Sequence, residues 1–286
     1  MKHIPVRQIK GAHPGLVVAP QFNIRKVEDL LGGKDLVQDL HRHDFFFILT
    51  ITCGKGNHGI DFVPYTVSRH SIFIMRPGQV HHLSLKAGSE GFLIEFKPEF
   101  YQPKNTMSSA QWRRITGMGC YKLSPAKFDF LNAQLEAMLE EFTSRREGFE
   151  AATRAYLDIF IIQLLRDGGF DIKSPGKTFT RHELVDQFLD LVESNFITEK
   201  QTARYAAMMN VSVYQLNSAT QKAFGKSATD LINEHILLEA KRYLLASSNL
   251  VNQIAYLLGY EDVSYFIRFF KKHTGLTPEY FRRQFA

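Results

Sequence analysis

The chain has 286 residues, 44% of them hydrophobic and 22% charged, an ordinary globular composition at a length that calls for two domains. Its net charge of +6 permits a polyanion as partner without requiring one. The two cysteines, Cys53 and Cys120, exclude a disulfide framework and a cysteine-based zinc cluster and fit a reducing compartment.

The start, MKHIPVRQIK, lacks the apolar core of a signal peptide. The longest apolar run, FFFILTIT, is too short to span a bilayer and reads as a buried strand. The expectation is a soluble cytoplasmic protein with no membrane partner.

Residues 1–40 read as an arm with short strands. Residues 41–100 read as β structure: FFFILTIT, then Gly54, Gly56 and Gly59 as turn signals, then IDFVPYTV, SIFIMRPG, HHLSL and GFLIEF. Short strands in such succession predict a compact antiparallel barrel or sandwich rather than βαβ units. Helical periodicity begins near 107. Ser124-Pro125 is a start signal, and Phe128, Leu131, Leu135, Met138 and Phe142 follow at 3-4-3-4 spacing, a seam of the coiled-coil type. The seam serves either to cap the β domain or to pair with its copy in a dimer. A second helix runs over about 150–166, with Tyr156, Ile159, Phe160 and Leu164 on its apolar face.

GGFDIKSPGKTF, residues 168–179, is the linker candidate. Thr180 and Glu183 form a capping box opening a second, all-helical domain. Residues 200–286 carry 11 basic and 6 acidic residues, with Arg268, Lys271, Lys272, Arg282 and Arg283 clustered. That is a phosphate footprint if they share a face, and a solvated helix surface otherwise.

This half contains a weak duplication. Ala206, Ser212, Leu216, Gly225 and Ser227 are matched by Ala255, Asp262, Phe266, Gly275 and Thr277. Each unit reads as helix–turn–helix. Asn210 and Gly259 end the first helix, Ser212 and Asp262 cap the second, and Gly225 and Gly275 stop it. Ser227 caps a long helix to about Ala246, with Leu231, Leu238 and Leu245 one heptad apart. In the first unit Leu216, Ala219, Ala223 and Phe224 are expected in the core and Tyr214, Asn217, Ser218 and Gln221 outward. In the second, Phe266, Phe269 and Phe270 are expected inside, with Val263, Ser264, Arg268, Lys271 and Lys272 available outside. Amide, hydroxyl and guanidinium groups on one face suit base-edge readout.

Residues 254–283, IAYLLGYEDVSYFIRFFKKHTGLTPEYFRR, resemble the second helix-turn-helix signature of the AraC-type family of bacterial transcription regulators. YAAMMNVSVYQLNSATQKAFGKS and ILLEAKRYLL match that family more loosely, with Thr220 where many members have Phe and His235 where Arg is common. The N-terminal half is similar to the family's cupin-type sensing domain through HRHDFF (41–46) and RPGQVHH (76–82). The resemblance implies an α+β multidomain protein. A cupin-like antiparallel β-barrel with helices, for effector sensing and dimerisation, occupies 1–167, the linker 168–179, and a double helix-turn-helix domain 180–286. It further implies a regulator that binds double-stranded DNA and a small-molecule effector, acts as a homodimer and can meet RNA polymerase.

Metal cupins use two His, a Glu and a later His. Here His41, His43 and His81 stand in the matching pattern, but the Glu is missing. Three His can still hold Zn, but these are expected to line the barrel and bind an organic effector, or merely to cap turns, with no metal, no cofactor and no catalytic residue. The alternative is a metal-dependent cupin enzyme with a helical appendage, separable by a metal assay.

Overall fold

The computed structural model describes residues 6–9, 21–101, 109–167 and 179–285. Two compact units are distinguished, one within 5–172 and the other within 173–286. Of the expected linker, 168–178 lies outside the described residues.

The first unit contains ten strands and four helices among the described residues. In chain order they are β1 (Val6–Arg7), β2 (Phe22–Lys26), α1 (Val27–Leu31), β3 (Leu36–His43), β4 (Phe46–Cys53), β5 (Gly56–Ile60), β6 (Val63–Val67), β7 (Ser71–Met75), β8 (Val80–Leu85), β9 (Glu90–Phe96), α2 (Ser109–Gly117), β10 (Cys120–Lys122), α3 (Pro125–Ser144) and α4 (Phe149–Asp167). The expected barrel is two five-stranded sheets, ordered β1-β3-β8-β5-β6 and β10-β7-β4-β9-β2. All pairings are antiparallel except that of β1 with β3.

The run FFFILTIT is apolar on both faces because β4 is covered on both. Phe47, Leu49 and Ile51 belong to one core cluster with Phe73, Leu83 and Leu85, and Phe46 and Ile48 belong to another with residues of α3 and α4. A strand buried on two sides gains nothing from alternation. The seam of α3 is used here. Phe128, Leu131, Leu135 and Met138 are fully buried among Ile72, Ile74, Leu157, Phe160 and Ile161, and Phe142 packs edge-on against Phe22. The seam caps the β domain: four of its five residues are fully buried there and Phe142 is half-buried. Ile159 of α4, expected inside, is exposed.

Two local expectations are corrected. IDFVPYTV is not one strand, because Asp61 and Phe62 both take positive φ (44° and 71°) between β5 and β6. That is the requirement of a tight hairpin turn. Asp61 anchors it by accepting from the Val80 N–H (3.2 Å) and the Gln79 amide (2.7 Å). Gly56 and Gly59 lie inside β5 rather than at turns. A Cβ on Gly56 would meet the Ser84 carbonyl oxygen at 1.9 Å, so its role is close strand approach.

The second unit holds α5 (Phe179–Asn195), α6 (Thr202–Met208), α7 (Val213–Phe224), α8 (Ala228–Ala246), α9 (Val251–Leu257), α10 (Val263–Thr274) and α11 (Pro278–Phe285). Because α5 already includes Phe179, Thr180 lies within its first turn and is not its cap. The stripe that α8 buries is Ala228, Ile232, Ile236, Ala240 and Leu244. Of the three leucines at heptad spacing only Leu245 is buried, because a straight helix buries i, i+4 rows, not a strict seven-residue repeat.

Candidate nucleic-acid interface and histidine cluster

The duplication is present in the backbone. α6 and α9 have seven residues each, and α7 and α10 twelve each. Asn210 (φ 53°) and Gly259 (φ 72°) take the left-handed conformation in the two turns, and Gly225 (68°) and Gly275 (77°) stop the second helices. Only Gly fits at 259, where a Cβ would lie 1.8 Å from the Ile197 carbonyl oxygen. Ser212 Oγ accepts from the Gln215 N–H (3.1 Å) while Gln215 Oε1 accepts from the Ser212 N–H (2.8 Å). This is a complete capping box. Asp262 caps α10 by accepting from the Ser264 N–H (2.7 Å). Ala206, Ala255, Leu216, Phe266 and Phe270 are buried.

On α7, Tyr214 is 82% exposed and Gln221 is exposed, and Ser218 is half-buried. Asn217 does not belong to the outward face. It is half-buried, and its Oδ1 accepts from the backbone N–H of Ala228 (2.9 Å), the first residue of α8. Ala223 and Phe224, expected in the core, are exposed, and the buried place is taken by Thr220, whose hydroxyl donates to the Asn217 carbonyl (3.2 Å).

On α10, Ser264, Arg268, Lys271 and Lys272 are exposed and Val263 is half-buried. Phe269 is half-buried rather than core, with its ring 4.8 Å from that of His273. Arg268 Nη2 lies 3.7 Å from Asp262 Oδ2, and both side chains are exposed. So loose a surface pair holds the guanidinium only weakly. Tyr265, exposed one turn before Arg268, was not singled out from the sequence as a surface residue.

Arg282 does not join the exposed basic group. It is buried, donating from Nε to the Leu244 carbonyl (2.8 Å) and from Nη2 to the Asn249 carbonyl (2.6 Å). A cation on the Leu244 carbonyl, in the last turn of α8, satisfies an orphan acceptor and suits the negative helix end, while the Asn249 carbonyl lies just past it. Arg283 remains exposed.

In the first unit His41 and His43 end β3 and His81 lies on β8, all buried. One candidate ring nitrogen from each lies within 4.8 Å of the others. A register shift between Gln38 and His41 moves the alternation of β3, so that 41 and 43 face inward after half-buried 36, 38 and 40. On β8, His81 points in with Leu83 and Leu85 while His82 is exposed. Phe47 of the facing sheet lies 5.4 Å from the His43 ring and 5.2 Å from the His81 ring.

A fourth residue, His58 on β5, completes the cluster. Its Nε2 is 2.8 Å from His81 Nδ1, and His81 Nε2 is 2.7 Å from His43 Nε2. His41 Nδ1 donates to the Asp39 carbonyl (2.7 Å). His41 Nε2, His43 Nδ1 and His58 Nδ1 are buried without a hydrogen-bond partner. Burial holds His41 down to about 4 and His43 and His58 to about 3, and His81 well below the usual value. Neighbouring His and Arg7 charges push the same way on His43 and His81. The rings are therefore neutral at pH 7, the form that offers a lone pair.

Comparison with known proteins places both halves. A helix-turn-helix domain model matches residues 205–284, and an AraC-like ligand binding domain model matches residues 34–112. The chain is similar to the HTH-type transcriptional activators RhaS and RhaR of Pectobacterium carotovorum. RhaS is 23% identical, covering 85% of this chain and 87% of its own length, and RhaR is 21% identical, covering 86% of each. The bifunctional transcriptional activator/DNA repair enzyme AdaA of Bacillus subtilis is 33% identical over 102 residues, 35% of this chain and 48% of that protein. Among solved structures, ToxT of Vibrio cholerae O395 aligns over 93% of this chain and 98% of its own at 14% identity, with a TM-score of 0.42. The two domain models together cover more than half of the chain, in the order sensing domain then helix-turn-helix, and the chain belongs to the AraC-type family of transcription regulators.

Proposed function

We propose that the chain binds double-stranded DNA through both helix-turn-helix units, α7 and α10 entering successive major grooves about 34 Å apart. The observation that carries this reading is the pair of units with equal helix lengths and matching left-handed turns, with Tyr214 and Gln221 exposed on one second helix and Arg268, Lys271 and Lys272 on the other. Arg268 carries a planar fork suited to guanine O6 and N7. Lys271 and Lys272, in the last turn of α10, suit phosphates. Ser218, Val263 and Ser264 add further contacts, and Asn217, engaged by the Ala228 N–H, is not one of the base contacts.

Residues 1–167 are proposed to sense an effector at His41, His43 and His81, with 168–179 as linker and 180–286 as the DNA-binding domain. The split into two compact units near residue 172 supports this division. The working form is proposed to be a cytoplasmic homodimer, its contact lying away from the Phe128–Phe142 seam. The activator names of the relatives support RNA polymerase as a further partner. No helix among the described residues is long and apolar enough to cross a membrane. A regulator that is not an enzyme accounts for the paired units, which a metal-dependent cupin enzyme would leave without a role. Selecting sites from random DNA with the full chain tests the proposal. Enrichment of a site with two half-elements about one helical turn apart supports it, and failure to enrich any sequence contradicts it.

A further inference from the structure

We propose that His41, His43 and His81 hold one late first-row divalent ion, of the Zn2+ kind, between the two sheets of the first unit. This deepens the reading of these three as effector residues and does not depend on the DNA-binding reading.

The geometry is that of a built site. Two histidines stand at i, i+2 on the inner face of β3, and His41 and His81 are register partners across β3 and β8. Register partners in adjacent strands keep a fixed separation, so the backbone holds the donors together before any ion arrives. The second layer is in place for two of the three rings. The Asp39 carbonyl, left unpaired by the register shift, takes the Nδ1 proton of His41, so that its Nε2 is the ligand atom. His58 Nε2 faces His81 Nδ1 at 2.8 Å and leaves His81 Nε2 for an ion. Metal-bound imidazoles nearly always have such an outer partner, which fixes tautomer and ring orientation.

The unpaired atoms point the same way. A buried imidazole nitrogen without a partner is costly, and His41 Nε2 is one, in a cluster where a lone pair is what an ion uses. His43 Nε2 and His81 Nε2 lie 2.7 Å apart, sharing one proton. An ion takes that place once the proton has moved to the other ring nitrogen, His43 Nδ1, which leaves the imidazole neutral; these two rings then part by roughly half an ångström, and the widest-spaced of the three donors close in from 4.8 Å, to reach the ~3.3 Å that tetrahedral Zn–N bonds of about 2.0–2.1 Å require. Three neutral imidazoles without a carboxylate favour Zn2+, Co2+, Ni2+ or Cu2+ over the oxygen-seeking Mg2+ and Ca2+. Arg7 on β1 opposes a cation here, and Asp39 offsets it. Three protein ligands leave a fourth position for water or for a donor atom of an effector.

The test uses the full chain without a His-tag, stripped with chelator and dialysed against Co2+ and then Zn2+. One ion per chain is expected, with visible d–d absorption from Co2+ that Zn2+ abolishes, and X-ray absorption of the Zn2+ form showing three imidazole ligands. His81→Gln should abolish binding. His58→Gln should keep the stoichiometry and weaken affinity by about 10–100-fold. No retained ion, fewer than three imidazoles in the wild-type spectrum, or unchanged affinity in His81→Gln overturns the site. The absorption measurement needs no variant and stands if His81→Gln fails to fold. DNA affinity of the same preparation, read separately, shows whether the regulator reading survives either result.

Discussion

The two helix-turn-helix units solve one structural problem differently, at the point where the second helix meets the helix that follows. In the first unit Ala228 opens α8 fully buried, and its N–H would be orphaned without the Asn217 amide. In the second unit, fifty residues on, Pro278 opens α11 and has no N–H to satisfy. The position matching Asn217 is then free to be Ile267, also half-buried. A polar residue at helical spacing with surface positions can thus be a backbone partner turned inward. Arg282 carries the same lesson. Its counterpart is Ile232, fully buried, and Arg282 is buried too, its charge spent on the carbonyls of Leu244 and Asn249.

The largest effects are expected in the cores of the two units. Phe266→Ala should cost about 3–5 kcal/mol and Leu216→Ala about 2–5 kcal/mol of stability, read from denaturant unfolding. A loss under about 1 kcal/mol at either would mean that its unit is not packed as described.

Smaller effects are expected at the helix junction. Asn217→Ile alone should cost about 1–3 kcal/mol by stranding the Ala228 N–H. Adding Ala228→Pro, which copies the second unit, should recover most of that loss, because the stranded donor disappears and proline suits the first helical position. Non-recovery in this double-mutant cycle would show that the amide does something other than satisfy that N–H. The smallest effect belongs to Lys272→Ala. It should weaken all DNA sequences alike and reduce the slope of log affinity against log salt by about one, and a sequence-dependent loss would place Lys272 on a base edge.

Features set by neighbours in sequence were legible. The caps at Ser212, Ser227 and Asp262 and the left-handed stops at Asn210, Gly225, Gly259 and Gly275 all stand as read. Features set by partners far along the chain were not. The periodicity of the α3 seam was visible, but only the fold decides that it faces α4 and the β10-β7-β4-β9-β2 sheet. Phe62 at positive φ hid a turn, since an aromatic there runs against local preference. At its offset of fifty residues the duplication pairs Asn217 with Ile267 and, past Gly275, Ile232 with Arg282. His58 sits in a glycine-rich stretch outside the two matching segments, HRHDFF and RPGQVHH. Its one sequence signal is alternation with Ile60, which puts both on the inner face of β5.

In the proposed arrangement α10 reads bases through Arg268, while Asn217 on α7 serves the protein's own backbone. Its most direct test is the affinity of wild type, Arg268→Ala and Asn217→Ala for a selected site and all its single-base variants, across a salt series. Arg268→Ala should lose roughly 1–3 kcal/mol on the best site and become indifferent at one base pair, while Asn217→Ala keeps the wild-type order of preference. If Arg268→Ala weakens every variant equally, or Asn217→Ala erases a preference, the orientation assigned to the two helices is wrong.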